Sequence, residues 1–155
     1  MKKLDKKRRR EGKTNYHRRL ILLKSMSLRL IVRKTNKYLI LQIVESKRSQ
    51  DKILIAVSTK ELLKYGWPKE KTGGLKSLGA AYLAGLLIGK KSSEDRTAIL
   101  DIGLIPSTKG SRVYAAVKGF SDAGGNINYN DKVVPVQEKI EKEEFFNKVK
   151  EDILK

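Results

Sequence analysis

The sequence predicts an α/β fold: a mixed sheet with an antiparallel three-strand meander, then helix-strand-helix units, plus a basic N-terminal arm and a C-terminal helix. Three observations lead to this prediction. First, short apolar runs rich in β-branched residues occupy 28–33, 38–44 and 53–57, and another short run covers 97–102. Second, a long apolar segment covers 75–88. Third, a chain of 155 residues is long enough for one domain with a hydrophobic core and short for two.

The first two apolar runs, separated by the polar segment 34–37, predict a β-hairpin. Alternate residues of the first run are apolar, so one side of the strand would be apolar and the other would carry Arg29 and Arg33. We interpret the arginine-bearing face as a candidate RNA contact, although core strands with solvated arginines would show the same alternation. A polar turn over 45–52 leads to the third run, which completes the meander.

The first 24 residues hold eleven Lys and Arg against two acids. Their net charge of +9 (11 − 2) is half of the total net charge of +18. Such a charge density favours a disordered arm over residues 1–13 that becomes ordered on a phosphate backbone. Residues 14–23 form a predicted helix with Thr14 or Asn15 as its N-cap. A generic basic tail or a nuclear localisation signal would have a similar composition. Tyr16 favours RNA, because an aromatic ring among arginines offers a stacking surface for an unpaired base.

The middle of the chain predicts two helices joined by a loop. Residues 58–61 have the capping-box pattern, which starts a short helix ending near Gly66. Residues 69–74 are a predicted loop. The segment 75–88 is apolar on nearly all sides and contains several small residues, which predicts a buried helix packed closely against the sheet and ended by Gly89.

The run at 97–102 predicts a strand in a parallel, central position of the sheet, because it follows a helix. The loop 106–112 leads into a further predicted helix with Ser111 as its N-cap. A polar, glycine-containing loop at a helix N-terminus offers free backbone N–H groups, and Lys109 and Arg112 add positive charge. We interpret this loop as a phosphate site; an ordinary capped loop with two surface cations is the alternative.

The end of the chain differs from the rest in its charge. Acids nearly balance the lysines from Glu138 onward, and the apolar residues there recur on one helical face, which predicts a helix that docks on protein and not on RNA. The predicted division of the chain is a basic arm with a short helix (1–24), an α/β RNA-binding domain (25–130) and a C-terminal helical tail (131–155).

Composition narrows the class of partner. A pI near 10.1 points to nucleic acid first and to an anionic membrane surface second. The sequence has no Cys, which excludes disulfides and thiolate metal sites, and the single histidine, His17, has no candidate partner ligands. No apolar run reaches the roughly 20 residues that span a bilayer, and we expect no signal peptide, no metal and no cofactor.

Several stretches of the sequence resemble one known family. They are 8–16 (RRREGKTNY), 30–38 (LIVRKTNKY), and 98–104 with 106–114 (AILDIGL, PSTKGSRVY), supported by 62–67 and 80–87. Together they cover about residues 8–125 in the expected order, whereas the last 25 residues match poorly. The sequence is similar to the universal 5S-rRNA-binding protein family of the large ribosomal subunit, family eighteen in the universal naming. It resembles the archaeal and eukaryotic branch, and we expect the archaeal type because eukaryotic members carry a much longer C-terminal extension.

The resemblance implies a non-catalytic, cytoplasmic protein of the large ribosomal subunit that holds 5S rRNA in the central protuberance. The implied partners are 5S rRNA, 23S rRNA, the family-five large-subunit protein and other proteins of the central protuberance, with no membrane and no small-molecule substrate. The charge pattern and the resemblance together select these candidate RNA-binding residues: Arg8, Arg9, Arg10, Lys13, Thr14, Tyr16, Arg18, Arg19, Lys24, Arg29, Arg33, Lys34, Asn36, Lys37, Tyr38, Ser107, Thr108, Lys109, Gly110, Ser111 and Arg112.

Two other classes of protein stay open on the sequence alone. A metal-dependent nuclease of similar size would need several converging carboxylates, and Asp101 at a strand end has no matching second acid. A non-ribosomal RNA-binding module or RNA chaperone would use the same basic surface.

Overall fold

The computed structural model describes residues 4–47, 50–92 and 96–155. Within them lies a four-stranded mixed sheet in the order β3-β2-β1-β4. The hairpin strands β1 and β2 pair antiparallel, as do β2 and β3, while β4 pairs parallel with β1. The strand bounds are β1 Leu28–Lys34, β2 Leu39–Lys47, β3 Gln50–Ser58 and β4 Ala98–Asp101. The predicted meander and the parallel last strand are confirmed.

Two details of the sheet differ from the prediction. Strand β4 lies at an edge and not in the centre, because its other side has only an isolated parallel bridge from Ala98 to Ile127. The polar turn predicted over 45–52 is much shorter, since both strands continue into polar sequence and Glu45 pairs with Lys52. Backbone pairing does not require apolar side chains where a strand faces solvent. Residues 48 and 49, at the tip of this hairpin, lie outside the described residues.

The α-helices within the described residues are α1 Lys7–Arg10, α2 Tyr16–Lys24, α3 Leu78–Lys91, α4 Arg112–Asp122, α5 Gln137–Ile140 and α6 Phe146–Leu154. Helix α2 confirms the predicted helix of the arm, and the Asn15 side chain caps it by accepting a hydrogen bond from the Arg18 N–H. Residues 7–10, predicted to lack structure, form one helical turn. All four side chains of this turn are exposed basic groups, so it adds nothing to the core.

Three 3₁₀ helices in the described part of the chain connect these elements: Thr59–Tyr65, Lys69–Lys76 and Asp131–Val133. The first has the predicted capping box and ends at Gly66, whose φ of 87° is left-handed. The second replaces the loop predicted over 69–74, and the buried Trp67 holds it by donating its indole N–H to the Lys71 carbonyl. As a result α3 begins later than predicted, with Ser77 as its N-cap, and it continues past Gly89.

Helix α3 is the centre of the core. It contacts α4, α5, α6, the first two 3₁₀ helices and strands β2 and β3, and every residue from Gly79 to Gly89 is buried. The C-terminal helix packs on this same core, burying Phe146, Val149 and Ile153. The tail therefore docks on its own chain. No helix among the described residues is both long and apolar enough to cross a membrane.

Candidate nucleic-acid interface

A groove of about 760 Å³ lies between the N-terminal arm, helix α2 and the end of the sheet at which β1 and β4 terminate. We call it the basic groove. Six cations of the described ranges line it and come from two segments of the chain, the arm and the hairpin: Arg8, Lys13, Arg18, Arg19, Arg33 and Lys34. Thr14 and Ser107 also line it, so the groove brings together candidate residues from the arm, the hairpin and the loop after β4.

The sheet topology explains why these segments meet. Strands β1 and β4 are parallel, so their carboxyl ends, at Lys34 and Asp101, lie at the same end of the sheet. The chain turns sharply after β4 at Gly103, which has a left-handed φ of 63°. A Cβ at this position would lie 3.0 Å from the Arg33 guanidinium carbon. Glycine therefore allows the loop to pass closely over Arg33.

The arginine-bearing face of β1 holds buried ion pairs. Arg29 is only 1% exposed and donates to Asp101 at 2.9 Å, to Asp51 at 2.7 Å and to Ser46 at 2.8 Å. The expectation that Arg29 is solvated is wrong, because carboxylates from β3 and β4 flank it in the folded chain. We therefore do not propose Arg29 as an RNA contact.

Five residues form a continuous row of alternating charge, which we call the arginine–aspartate chain: Arg19, Asp51, Arg29, Asp101 and Arg33. Arg19 donates to Asp51 at 2.8 Å, and Arg33 donates to Asp101 at 2.8 Å. Arg19 lies on α2 and the other four lie on the sheet, so this chain attaches α2 to the sheet. It also fixes two of the cations that line the basic groove.

The charges of the two aspartates are stabilised by these contacts. Partial burial would raise the pKa of Asp51, but hydrogen bonds from Ser46, Arg19 and Arg29 lower it to about 2. Burial also acts to raise the pKa of Asp101, and the hydrogen bond and charge of Arg33 outweigh it and lower that pKa. Both aspartates are therefore carboxylates at neutral pH and neutralise part of the arginine charge.

Most other candidate cations are exposed and have no side-chain partner among the described residues. These are Arg10, Arg18, Lys24, Lys34, Lys37, Lys109 and Arg112. Arg8 donates to the Thr14 hydroxyl, and Arg9 and Lys13 make exposed ion pairs with Asp5 and Glu11. Exposed pairs of this kind contribute little stability, so they leave the cations available to a phosphate.

The aromatic candidate Tyr16 lies beside the basic groove. With Arg9, Gly12, His17 and Leu104 it lines a smaller hollow of about 290 Å³. The Lys6 ammonium lies 4.7 Å from the centre of the Tyr16 ring. An aromatic face that already attracts a cation is partly occupied, so a base would have to displace Lys6 to stack there.

The loop 106–112 is exposed and lies at the N-terminus of α4, as predicted. Ser111 is the N-cap residue, but its side chain makes no capping hydrogen bond, and its buried hydroxyl has no hydrogen-bond partner. The Gly110 N–H donates to the Val133 carbonyl, so this backbone donor is already used. Ser107 and Tyr114 share a hydroxyl–hydroxyl hydrogen bond of 2.5 Å. Lys109 and Arg112 do not line the basic groove and form a separate basic site.

The hairpin turn is also outside the basic groove. Its candidates Asn36, Lys37 and Tyr38 line neither hollow, and Thr35 closes the turn through hydrogen bonds with the Tyr38 backbone. Thr108, Gly110, Arg10 and Lys24 likewise lie elsewhere on the surface.

Sequence reasoning missed the apolar part of the basic groove, which consists of Ile21, Leu22, Leu100, Ile102, Leu104 and Ile105. The sequence carries a signal for it, because Ile21 lies in the apolar run 20–23, which directly follows Arg18 and Arg19 in the predicted helix. In the structure Ile21 is 56% exposed. No group of His, Asp and Glu among the described residues is arranged to hold a metal ion.

Comparison with known proteins identifies the family. A family model described as "Ribosomal large subunit proteins 60S L5, and 50S L18" matches residues 2–97 and 90–130. The chain belongs to this family. The resemblance drawn from the sequence is thereby confirmed.

Archaeal relatives support the archaeal type. "Large ribosomal subunit protein uL18" of Korarchaeum cryptofilum is 47% identical over 136 residues, which are 86% of this chain and 68% of that protein. The uL18 protein of Methanoregula boonei is 40% identical over 96% of this chain and 86% of its own length. That of Aeropyrum pernix is 43% identical over 86% of this chain and 62% of its own length. The chain is therefore a large-subunit ribosomal protein of the archaeal uL18 type.

Proposed function

We propose that this protein binds 5S rRNA and attaches it to 23S rRNA in the central protuberance of the large subunit, beside the family-five protein. The role is one of binding, without catalysis. Membership of the large-subunit family supports the ribosomal setting. The observation that carries the RNA contact is the basic groove, where six cations from separate segments converge around one acid, Asp101.

The basic groove would bind RNA mainly through phosphates. Each phosphate that a Lys or Arg neutralises releases a bound counterion, which is the main electrostatic source of affinity. Arg18 and Lys34 have no ion-pair partner among the described residues, so RNA would meet them without first breaking a contact. Arg19 and Arg33 are held by Asp51 and Asp101, and they add a fixed positive potential to the groove.

The loop 106–112 would provide a second phosphate contact. Lys109 and Arg112 are exposed beside the N-terminus of the 11-residue helix α4, where helix dipole and free N–H groups favour an anion. Two basic sites at different places on the surface would orient the RNA, because one phosphate contact alone leaves the RNA free to rotate.

A comparison of two charge variants tests the role of the basic groove. The cation variant replaces Arg8, Lys13, Arg18 and Lys34 with Gln. The control variant replaces four exposed lysines outside the groove, Lys60, Lys69, Lys142 and Lys148, with Gln. Both variants lose the same charge. Affinity for 5S rRNA is measured over a range of salt concentrations.

We expect the cation variant to make the negative slope of log affinity against log salt shallower by about 3, since each of the four phosphate contacts contributes about 0.7 to 0.9. The control variant should change the slope by less than about 1. Equal changes in the two variants would show that net charge, and not the groove, provides the binding. Co-sedimentation of the wild-type protein with the large subunit separates this role from that of a free RNA chaperone.

A further inference from the structure

We propose that the basic groove holds an unpaired nucleotide of the RNA, with the base on its apolar floor and the adjacent phosphates on its cations. This inference rests on the proposed function and specifies which RNA element enters the groove. Nothing in the charge pattern alone requires it, since a duplex would satisfy cations equally well.

The floor of the basic groove is an apolar surface that folding leaves uncovered. Leu100, Ile102 and Ile105 are partly buried and pack against the core, while Leu104 is 50% exposed and Ile21 on α2 is 56% exposed. Contiguous exposed apolar surface with a polar rim is typical of binding sites. An RNA duplex presents phosphates and sugar edges to a protein, so it has no apolar face that would cover this floor. The face of an unpaired base would cover it.

The charge of the groove favours an anionic occupant over a protein segment. Its volume of about 760 Å³ is in the range of small-molecule sites, so a nucleotide unit fits within it. Asp101, the acid in the lining, is already bonded to Arg29 and Arg33. An apolar peptide would leave Arg18 and Lys34 without counterions, whereas the phosphates on either side of a bound base would neutralise them.

The test compares three RNA probes with the same number of phosphates, using the intact chain at low salt. The probes are a single-stranded oligouridylate, an abasic ribose-phosphate oligomer and a blunt-ended RNA duplex, which has no unpaired bases. We expect the oligouridylate to bind about tenfold more tightly than the abasic oligomer and the duplex, the scale of one stacked base. Affinity for 5S rRNA is measured in parallel.

Two double variants locate the effect. The groove variant is Ile21→Ser with Leu104→Ser, and the control is Val136→Ser with Leu154→Ser, residues that are 60% and 53% exposed outside the groove. All four positions are exposed, so both variants should fold, which circular dichroism checks. The groove variant should lose most of the tenfold preference for bases and keep the salt slope. The control should keep both.

Equal binding of the oligouridylate and the abasic oligomer would overturn the inference, as would a preference for the duplex. A base preference that survives in the groove variant would place the base elsewhere and would also overturn it. If the groove variant binds all RNAs normally but loses affinity for the family-five protein, the occupant is a protein segment. In each case unchanged, salt-dependent binding of 5S rRNA would leave the proposed function intact.

Discussion

Two regions on opposite sides of the sheet are stabilised in different ways. On one side, helices α3 and α4 pack with their backbones in contact: a Cβ on Gly85 would collide with the Ala116 carbonyl, and one on Gly119 would collide with the Tyr82 carbonyl. On the other side, α2 is attached through the arginine–aspartate chain and borders the open basic groove. The first region is apolar and closed, and the second is charged and open.

The comparison separates stability from binding. Close packing of α3 and α4 excludes water and leaves no space for a ligand, so changes there should alter the free energy of unfolding. The groove side exposes apolar surface and unpaired cations, which contribute little to folding and remain available to RNA. The arginine–aspartate chain lies between these extremes, because its buried part stabilises the fold and its ends line the groove.

The largest expected effect on stability comes from the contact between α3 and α4. Gly85→Val should destabilise the protein by at least about 3 kcal/mol, since the side chain would push α4 away along its length. The measurement is urea unfolding followed by circular dichroism. Gly73→Val is the control, because nothing lies within 4 Å of a Cβ at Gly73. Equal losses in the two variants would mean that the helices do not make this close contact.

The buried part of the arginine–aspartate chain gives the next effect. Asp101→Asn should destabilise the protein by about 3 kcal/mol, because the buried Arg29 and the neighbouring Arg33 lose the carboxylate that they share. Asp131→Asn, an exposed aspartate on a 3₁₀ helix, should cost less than about 0.5 kcal/mol. A thermal melt of each variant checks this, and unchanged stability in Asp101→Asn would show that the ion pairs are dispensable.

The second basic site should affect binding and not folding. Changing Lys109 and Arg112 together to Ala should weaken binding of rRNA by about 1 to 3 kcal/mol and leave the melting temperature nearly unchanged, because both side chains are exposed. Filter binding and calorimetry measure the two quantities. Lost stability with unchanged affinity would show that the loop 106–112 has only a structural role.

The smallest effect concerns pH. The folded-state pKa of Asp51 is about 2, below its ordinary value of 3.8, so its contribution to stability is complete above pH 3.8 and is lost as pH falls towards 2. After a discount for solvent exposure, this amounts to about 1 kcal/mol. Between pH 5 and pH 2.5, wild type should therefore lose roughly 0.7 kcal/mol more stability than Asp51→Asn, because pH 2.5 is still above the folded-state pKa of about 2. Parallel pH profiles of the two proteins would contradict the proposed attachment of α2.

The sequence by itself determined the secondary-structure elements that depend only on residues nearby in the chain. Period-two alternation predicted β1, and the apolar run after a polar turn predicted β2. The Ser58 to Glu61 pattern predicted a capped helix, and the apolar face of α6 predicted a docking helix. The motifs at 8–16, 30–38 and 98–114 also predicted the family. These features depend on neighbours within a few residues, so they are visible along the chain.

Tertiary structure alone decided what depends on distant residues. Arg29 is buried because Asp101, 72 residues away, lies beside it on a parallel strand, and alternation cannot distinguish a buried ion pair from a solvated arginine. The arm and the hairpin were each predicted to be basic, but only the attachment of α2 to the sheet through Arg19 and Asp51 places their cations around one groove. The apolar floor of the basic groove was missed for the same reason. Residues 21 and 104 form one surface only when α2 packs at the end of the sheet.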